Sequence, residues 1–166
     1  MFIAVILEVM RTVLVFVGLV LLAVVAGVFM TSSDRGGPAA VTVPFTALAE
    51  GSRSEVTSRV NYLIDTQEEL ARLWDLLQEA PPIPTVDFNT KVVAAVFAGE
   101  VPTAGYDIAV TEVEDADDRV VRIELVKPNE SCVLAQSVTA PYQVIELPKT
   151  SLPFTHADTW TTKPCP

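Results

Sequence analysis

From Val13 to Met30 the chain runs 18 residues without one polar side chain. As a helix rising about 1.5 Å per residue, that run reaches roughly 27 Å, close to the ~30 Å hydrocarbon thickness of a bilayer. A helix buried in a soluble domain shows polar residues at helical intervals, and this one shows none. The pattern predicts a transmembrane anchor or signal over residues 12–30, behind a short segment 1–11 in which Met10-Arg11 reads as an alternative start to Met1. The run exceeds the about 7–15 apolar residues of a cleavable signal, which favours retention as a single-pass anchor. Val24-Val25-Ala26 has the small-residue character of a cleavage site, so secretion after cleavage is the alternative. Arg11 biases the amino terminus toward the cytoplasm and the rest of the chain toward the outside.

Beyond the apolar run the periodicity changes. Residues 31–41 contain Ser, Asp, Gly and Pro and read as a linker. Val41 to Ala49 predicts an edge strand interrupted by Pro44, Gly51 to Ser54 a turn, and Arg59 to Ile64 a strand. Thr66 with Glu69 forms a capping box. The following Leu70, Leu73, Trp74 and Leu77 share one helical face, and Pro81-Pro82 ends the helix. Trp74 on that stripe is expected in the core. Val92 to Ala98 is a continuous apolar run of strand length, suited to a central strand covered on both faces. Tyr106, Ile108 and Val110 alternate with polar residues, as do Val121, Ile123 and Leu125. Together they predict a hairpin with a loose acidic tip. Cys132 to Val138 and Tyr142 to Leu147 are two further strand candidates. The fold class expected is α+β: a mainly antiparallel sheet of five to seven strands with one packed helix, spanning residues 42–155, with a carboxy-terminal tail over 156–166.

Charge sharpens the division. The formal net charge is −10, and residues 1–30 contribute only Glu8 and Arg11, which cancel. The whole excess therefore belongs to the remainder. An acidic domain excludes nucleic acid as an expected partner, because phosphate binding needs clustered Lys and Arg. A single histidine, His156, excludes metal sites built on several imidazoles. No phosphate-cradling glycine loop is present, and neither a metal nor a cofactor is expected.

The chemistry-bearing residues are few. Glu112 to Asp118 holds five carboxylates in seven residues, without the alternating spacing, central glycine and terminal glutamate of a calcium loop. A solvated hairpin tip accounts for it. His156 falls in the predicted tail with no nucleophile elbow anywhere, so no catalytic residue is assigned and the chain is expected not to be an enzyme. Cys132 and Cys165 form an even pair. In an oxidising compartment a bridge between them is a candidate, closing a loop of about 34 residues at roughly 3–4 kcal/mol in the chain-entropy account. The alternative is a free Cys132 with Cys165 loose.

One ordered set of segments goes further. Asn61-Tyr62-Leu63-Ile64, the capped helix with Leu73-Trp74, Val86-Asp87-Phe88 and Val92 to Phe97 come first. Gly99 to Tyr106, Cys132 to Gln136, Ala140 to Ile145 and Leu147-Pro148-Lys149 follow. This order resembles the protease complex subunit PrcB family, specifically its carboxy-terminal domain, over roughly residues 43–155. Ala104 departs from the glycine expected in the Pro-Thr-x-Gly-Tyr turn. The resemblance implies a non-catalytic extracytoplasmic module that associates with, and helps stabilise, a secreted or surface protease. An envelope ligand-binding or sensor domain and a protease-inhibitor-like module are the alternatives; the same turn faintly echoes a loop of chagasin-type inhibitors. Candidate partner-binding residues are Pro102, Thr103, Gly105 and Tyr106 in that turn, with Pro141 and Tyr142, since tyrosines contribute disproportionately to interfaces. The expected partners are the membrane, through residues 12–30, and an exported protease or other envelope protein.

Overall fold

The computed structural model describes residues 39–78 and 80–165. The predicted anchor over 12–30, the segment before it and most of the linker lie outside the described residues. Among those described, no helix is long and apolar enough to cross a membrane.

The described residues form eight strands and one helix. They are β1 (Val41–Thr42), β2 (Thr46–Gly51), β3 (Val60–Ile64), α1 (Gln67–Trp74), β4 (Lys91–Phe97), β5 (Asp107–Asp115), β6 (Arg119–Pro128), β7 (Tyr142–Pro148) and β8 (Phe154–Lys163). They form two four-stranded sheets, ordered β1-β5-β6-β8 and β2-β7-β4-β3. The expected α+β class holds, but two sheets replace the single one.

The strand β4 explains the layering. Six of its seven residues are buried, and strand alternation sends them in opposite directions. Val92, Ala94 and Val96 join Ile108, Val110, Val113, Val121, Ile123, Leu125, Ile145 and Leu147 between the two sheets. Val93, Ala95 and Phe97 pack with Leu70, Leu73, Trp74 and Tyr142 on the helix side. The continuous apolar run thus serves two cores at once, and α1 covers one face of its sheet.

Local chemistry sets the elements. Thr66 accepts a hydrogen bond from the Glu69 amide at 3.2 Å, and the Glu69 carboxylate returns to the Asp65 amide at 3.4 Å, one residue before the cap. The helix ends at Trp74, short of the prolines, because the next amides of Leu76 and Leu77 bond back to Leu73 and Trp74 and the Gln78 amide turns to Arg53. Trp74 is buried, with its indole N–H on the Pro81 carbonyl at 2.7 Å.

Pro44 divides what reads as one edge strand. Proline offers no ladder donor. The chain pairs with β5 as β1, buries Val43 between the sheets, passes Pro44 and enters the other sheet as β2 against β7.

Three segments differ from expectation. The tail is a strand: β8 runs parallel to β6 over ten residues from Phe154 to Lys163. It shows no apolar alternation because it is an edge strand with most of its side chains exposed, carried by β-compatible threonines. Its side-by-side pairing with β6 is the one parallel ladder among the described strands, and it extends the domain past residue 155. Residues 132–138 form no strand; Val133 is fully exposed and Val138 largely so. The acidic tip is not loose. Glu112, Glu114 and Asp115 lie within β5, and Arg122 pairs with Glu112 and Glu114 while Arg119 pairs with Asp115. Cross-strand arginines, rather than solvent alone, account for most of that carboxylate run.

Two buried polar side chains join the sheets. A bulge in β5 between Val110 and Glu112 frees the Val110 amide, and Gln143 of β7 crosses the core to accept its hydrogen bond at 2.7 Å. Arg119, 2% exposed, donates two 2.6 Å bonds to Asp115, reaches the Pro148 carbonyl of the opposite sheet, and lies 5.5 Å over the Phe154 ring. Every buried side-chain nitrogen and oxygen of the described residues has a partner.

Candidate functional site

The loop following β4 begins at a backbone constraint. Gly99 has φ +81°, and a Cβ there would stand 2.8 Å from the backbone of Ser58 and Arg59. Only glycine fits both the conformation and the space. The Glu100 amide then bonds to the Thr57 carbonyl, and Val101 exchanges two backbone hydrogen bonds with Thr139.

From there two loops brace each other. The Thr139 hydroxyl donates to the Thr103 carbonyl at 3.2 Å, and the Ala104 amide to the Ala135 carbonyl at 3.2 Å. Gly105, at φ +93°, faces Pro128 and Leu134 and directs the chain through Tyr106 into β5. In the second loop Asn129 receives the Ser131 amide and hydroxyl and its own carbonyl takes the Cys132 amide. Cys132 is bridged to Cys165 with Cα atoms 5.3 Å apart, which fastens the loop to the end of β8. The bridge that the sequence offered as a candidate is formed.

The result is a braced pair of loops at one end of the sheets with apolar groups on its surface. Pro102 and Gly105 are exposed, Thr103 and Tyr106 half-buried, and Val133 and Val138 stand out in solvent. The structure therefore brings four of the expected binding residues together in one loop. It separates the other two from any surface. Pro141 is buried, and Tyr142 is 1% exposed, stacked on Phe97 with its hydroxyl on the Gln78 carbonyl at 3.4 Å. Gly51 is small because this ring lies over it: an added Cβ would meet the ring at 2.8 Å. Tyr142 is thus a core residue, and Pro141 leads into its strand. Sequence reasoning missed Val133 by placing it in a strand, where an isolated valine reads as core.

Replacing Cys132 and Cys165 together by serine is expected to lower stability by about 2–4 kcal/mol. Thermal unfolding with and without reductant checks it: reductant shifts the wild type and leaves the double variant unmoved.

His156 lies on β8 and not in a loose tail. Its Nδ1 is 3.0 Å from Asp158, whose carboxylate is held by Arg59 at 2.9–3.0 Å. An acid orienting a histidine is half of a nucleophilic set. Among the described residues no serine, threonine or cysteine side chain hydrogen-bonds to that imidazole, and no group of three or more potential metal ligands occurs. Arg59 also donates to the Val60 and Phe97 carbonyls and so ties the β3 edge to β8.

The family model described as PrcB C-terminal matches residues 92–148, from β4 through β7. That span contains both braced loops, and the expected PrcB resemblance holds over it. Over that span the chain is similar to the family described as PrcB C-terminal. No curated protein and no solved structure matches the chain.

Proposed function

We propose that the chain is a membrane-tethered, non-catalytic module whose globular part works outside the cytoplasm, docking an exported protease or another envelope protein through the two braced loops. The observation that carries this reading is the surface of residues 101–106 and 129–140. Fully exposed valine on a loop fixed by a disulfide and by hydrogen bonds to a neighbouring loop is a pre-organised apolar contact surface. Both loops lie inside the family-matched segment. The disulfide suits an oxidising compartment, which agrees with the outward-facing anchor expected of the 18-residue apolar run. Among the described residues no hydroxyl or thiol meets the oriented histidine, which supports a binding role over a hydrolytic one.

The test is co-purification from solubilised membranes with the full chain. Val133→Asp combined with Val138→Asp is expected to reduce recovery of an exported protease at least tenfold while the melting temperature stays within a few degrees. Undiminished recovery with the double variant overturns the loop surface, and hydrolytic activity lost in His156→Ala overturns the non-catalytic reading.

A further inference from the structure

The edge strand β3 is built to receive another strand. Among the described strands it pairs with β4 alone. The Ala98 amide donates to Pro141 beside β7, so by antiparallel alternation Phe97, Ala95 and Val93 turn their backbone groups toward β3. Their register partners Val60, Tyr62 and Ile64 answer them, and Asn61 and Leu63 are left pointing N–H and C=O outward. Natural edges are guarded by lysine, proline or a bulge. The β3 sequence Val-Asn-Tyr-Leu-Ile has none of these, and Tyr62 and Leu63 are 41% and 51% exposed.

The surroundings fit side chains of an added strand. Tyr62 lies on the helix side, edge-on to Phe97 at 5.8 Å, beside a groove of about 340 Å³ floored by Leu73 of α1 and by Leu76 in the turn that follows it. Leu63 lies on the other face, beside a groove of about 220 Å³ shared with Phe154 and His156 at the β8 edge. A strand laid about 4.8 Å outside β3 sends successive side chains alternately into these two grooves.

Charge selects the occupant. At one end of β3 Arg59 is matched by Asp158, and on α1 Arg72 is matched by Glu68. At the other end Asp65 and Glu69 have no ion-pair partner among the described residues. A second copy, also of net charge −10, is opposed by long-range repulsion.

We propose that the outer edge of β3 binds an extended segment of a partner protein, apolar at successive positions and carrying lysine or arginine beside Asp65 and Glu69. This site is distinct from the braced loops and stands without them.

The probe is the acetylated, amidated peptide Lys-Val-Thr-Leu-Val-Thr-Lys, with a lysine at each end so that either strand direction meets Asp65. It is titrated by fluorescence anisotropy against the full chain in detergent. Saturable binding is expected, weakened at least tenfold by exchanging both lysines for glutamate and abolished by N-methylation of alternate amides. Leu63→Pro removes an outward N–H that β4 does not use and is expected to abolish binding. Should that variant fail to fold, Asp65→Asn with Glu69→Gln, both surface changes, is expected to weaken binding about tenfold. No binding by the parent peptide overturns the proposal, as does equal binding of the N-methylated peptide. Concentration-dependent dimerisation lost in Leu63→Pro, without peptide binding, would assign the edge to a second copy and equally overturn it.

Discussion

Arg119→Ala is expected to lower unfolding free energy by about 3–5 kcal/mol, the loss typical when one member of a buried ion pair is removed. For a domain of this size that is a fall in melting temperature of roughly 10–20 °C. The guanidinium is 2% exposed and holds three things at once: Asp115 on the neighbouring strand, the Pro148 carbonyl in the opposite sheet, and the Phe154 ring that opens β8. Arg119→Met keeps an unbranched stem over Phe154 and is expected to lose less, which separates packing from charge. Acid supplies an independent check. The hydrogen bonds from Arg119 hold the Asp115 carboxyl below the usual aspartate range against a smaller opposing effect of burial. A depressed carboxyl stabilises above its unfolded pKa of about 3.9, and that contribution disappears as pH falls through the folded value. Wild-type stability should therefore drop below about pH 4, and Asp115→Asn should lie lower at pH 7 and change less over the same window. Asp87, held low by the Thr90 hydroxyl and by Asn89, adds to the wild-type slope in both proteins. Chemical denaturation at pH 3, 4, 5 and 7 measures it.

Gly99→Ala is expected to cost about 3 kcal/mol or more. A positive φ disfavours any L side chain by roughly 1–2 kcal/mol. The Cβ would also meet the backbone of Ser58 and Arg59 at 2.8 Å, where no flexible side chain can yield. Relief requires moving either the entry to β3, where Arg59 anchors β8, or the start of the braced loop. Gly99→Ala should therefore reduce stability and loosen the Val101–Thr139 bridge together. Hydrogen exchange of the Val101 and Thr139 amides, compared with that of β6 amides, checks the local part. Gly105→Ala, at φ +93° but with its nearest contact at 3.4 Å, should cost only the conformational share.

Much of this architecture is written locally. Thr66, Glu69 and the Leu70-Leu73-Trp74 stripe specify α1 without tertiary help, and the uninterrupted run from Val92 to Phe97 announces a strand covered on both sides. What that run does not disclose is the nature of the two covers. Sheet on one face and helix on the other give the same apolar sequence, so a single sheet was the natural expectation. Strand β8 is not legible in the sequence because an edge strand lacking a buried stripe has no period to show. The segment 132–138 misled in the opposite sense: Val133, Leu134 and Val138 look like strand residues, and the disulfide, not a ladder, holds them. The candidate site was half legible. Pro102 to Tyr106 form the surface loop that turn chemistry indicated, with Pro102 and Gly105 exposed, whereas Tyr142 is buried because Gly51 and Phe97 make room for its ring. Arg119 and Gln143 carry no sequence signature, since their importance arises where the two sheets meet.

Engagement of a partner through the braced loops puts Val133 at the contact. Site-specific photocrosslinking in intact membranes tests this, with benzoylphenylalanine at Val133 and, as a control, at Thr159 on the outer face of the β8 sheet. A discrete crosslinked product containing an exported protease or other envelope protein is expected from position 133, and none from position 159. A product of equal yield from both positions, or none from position 133 in a chain that is folded and disulfide-bonded, would contradict it.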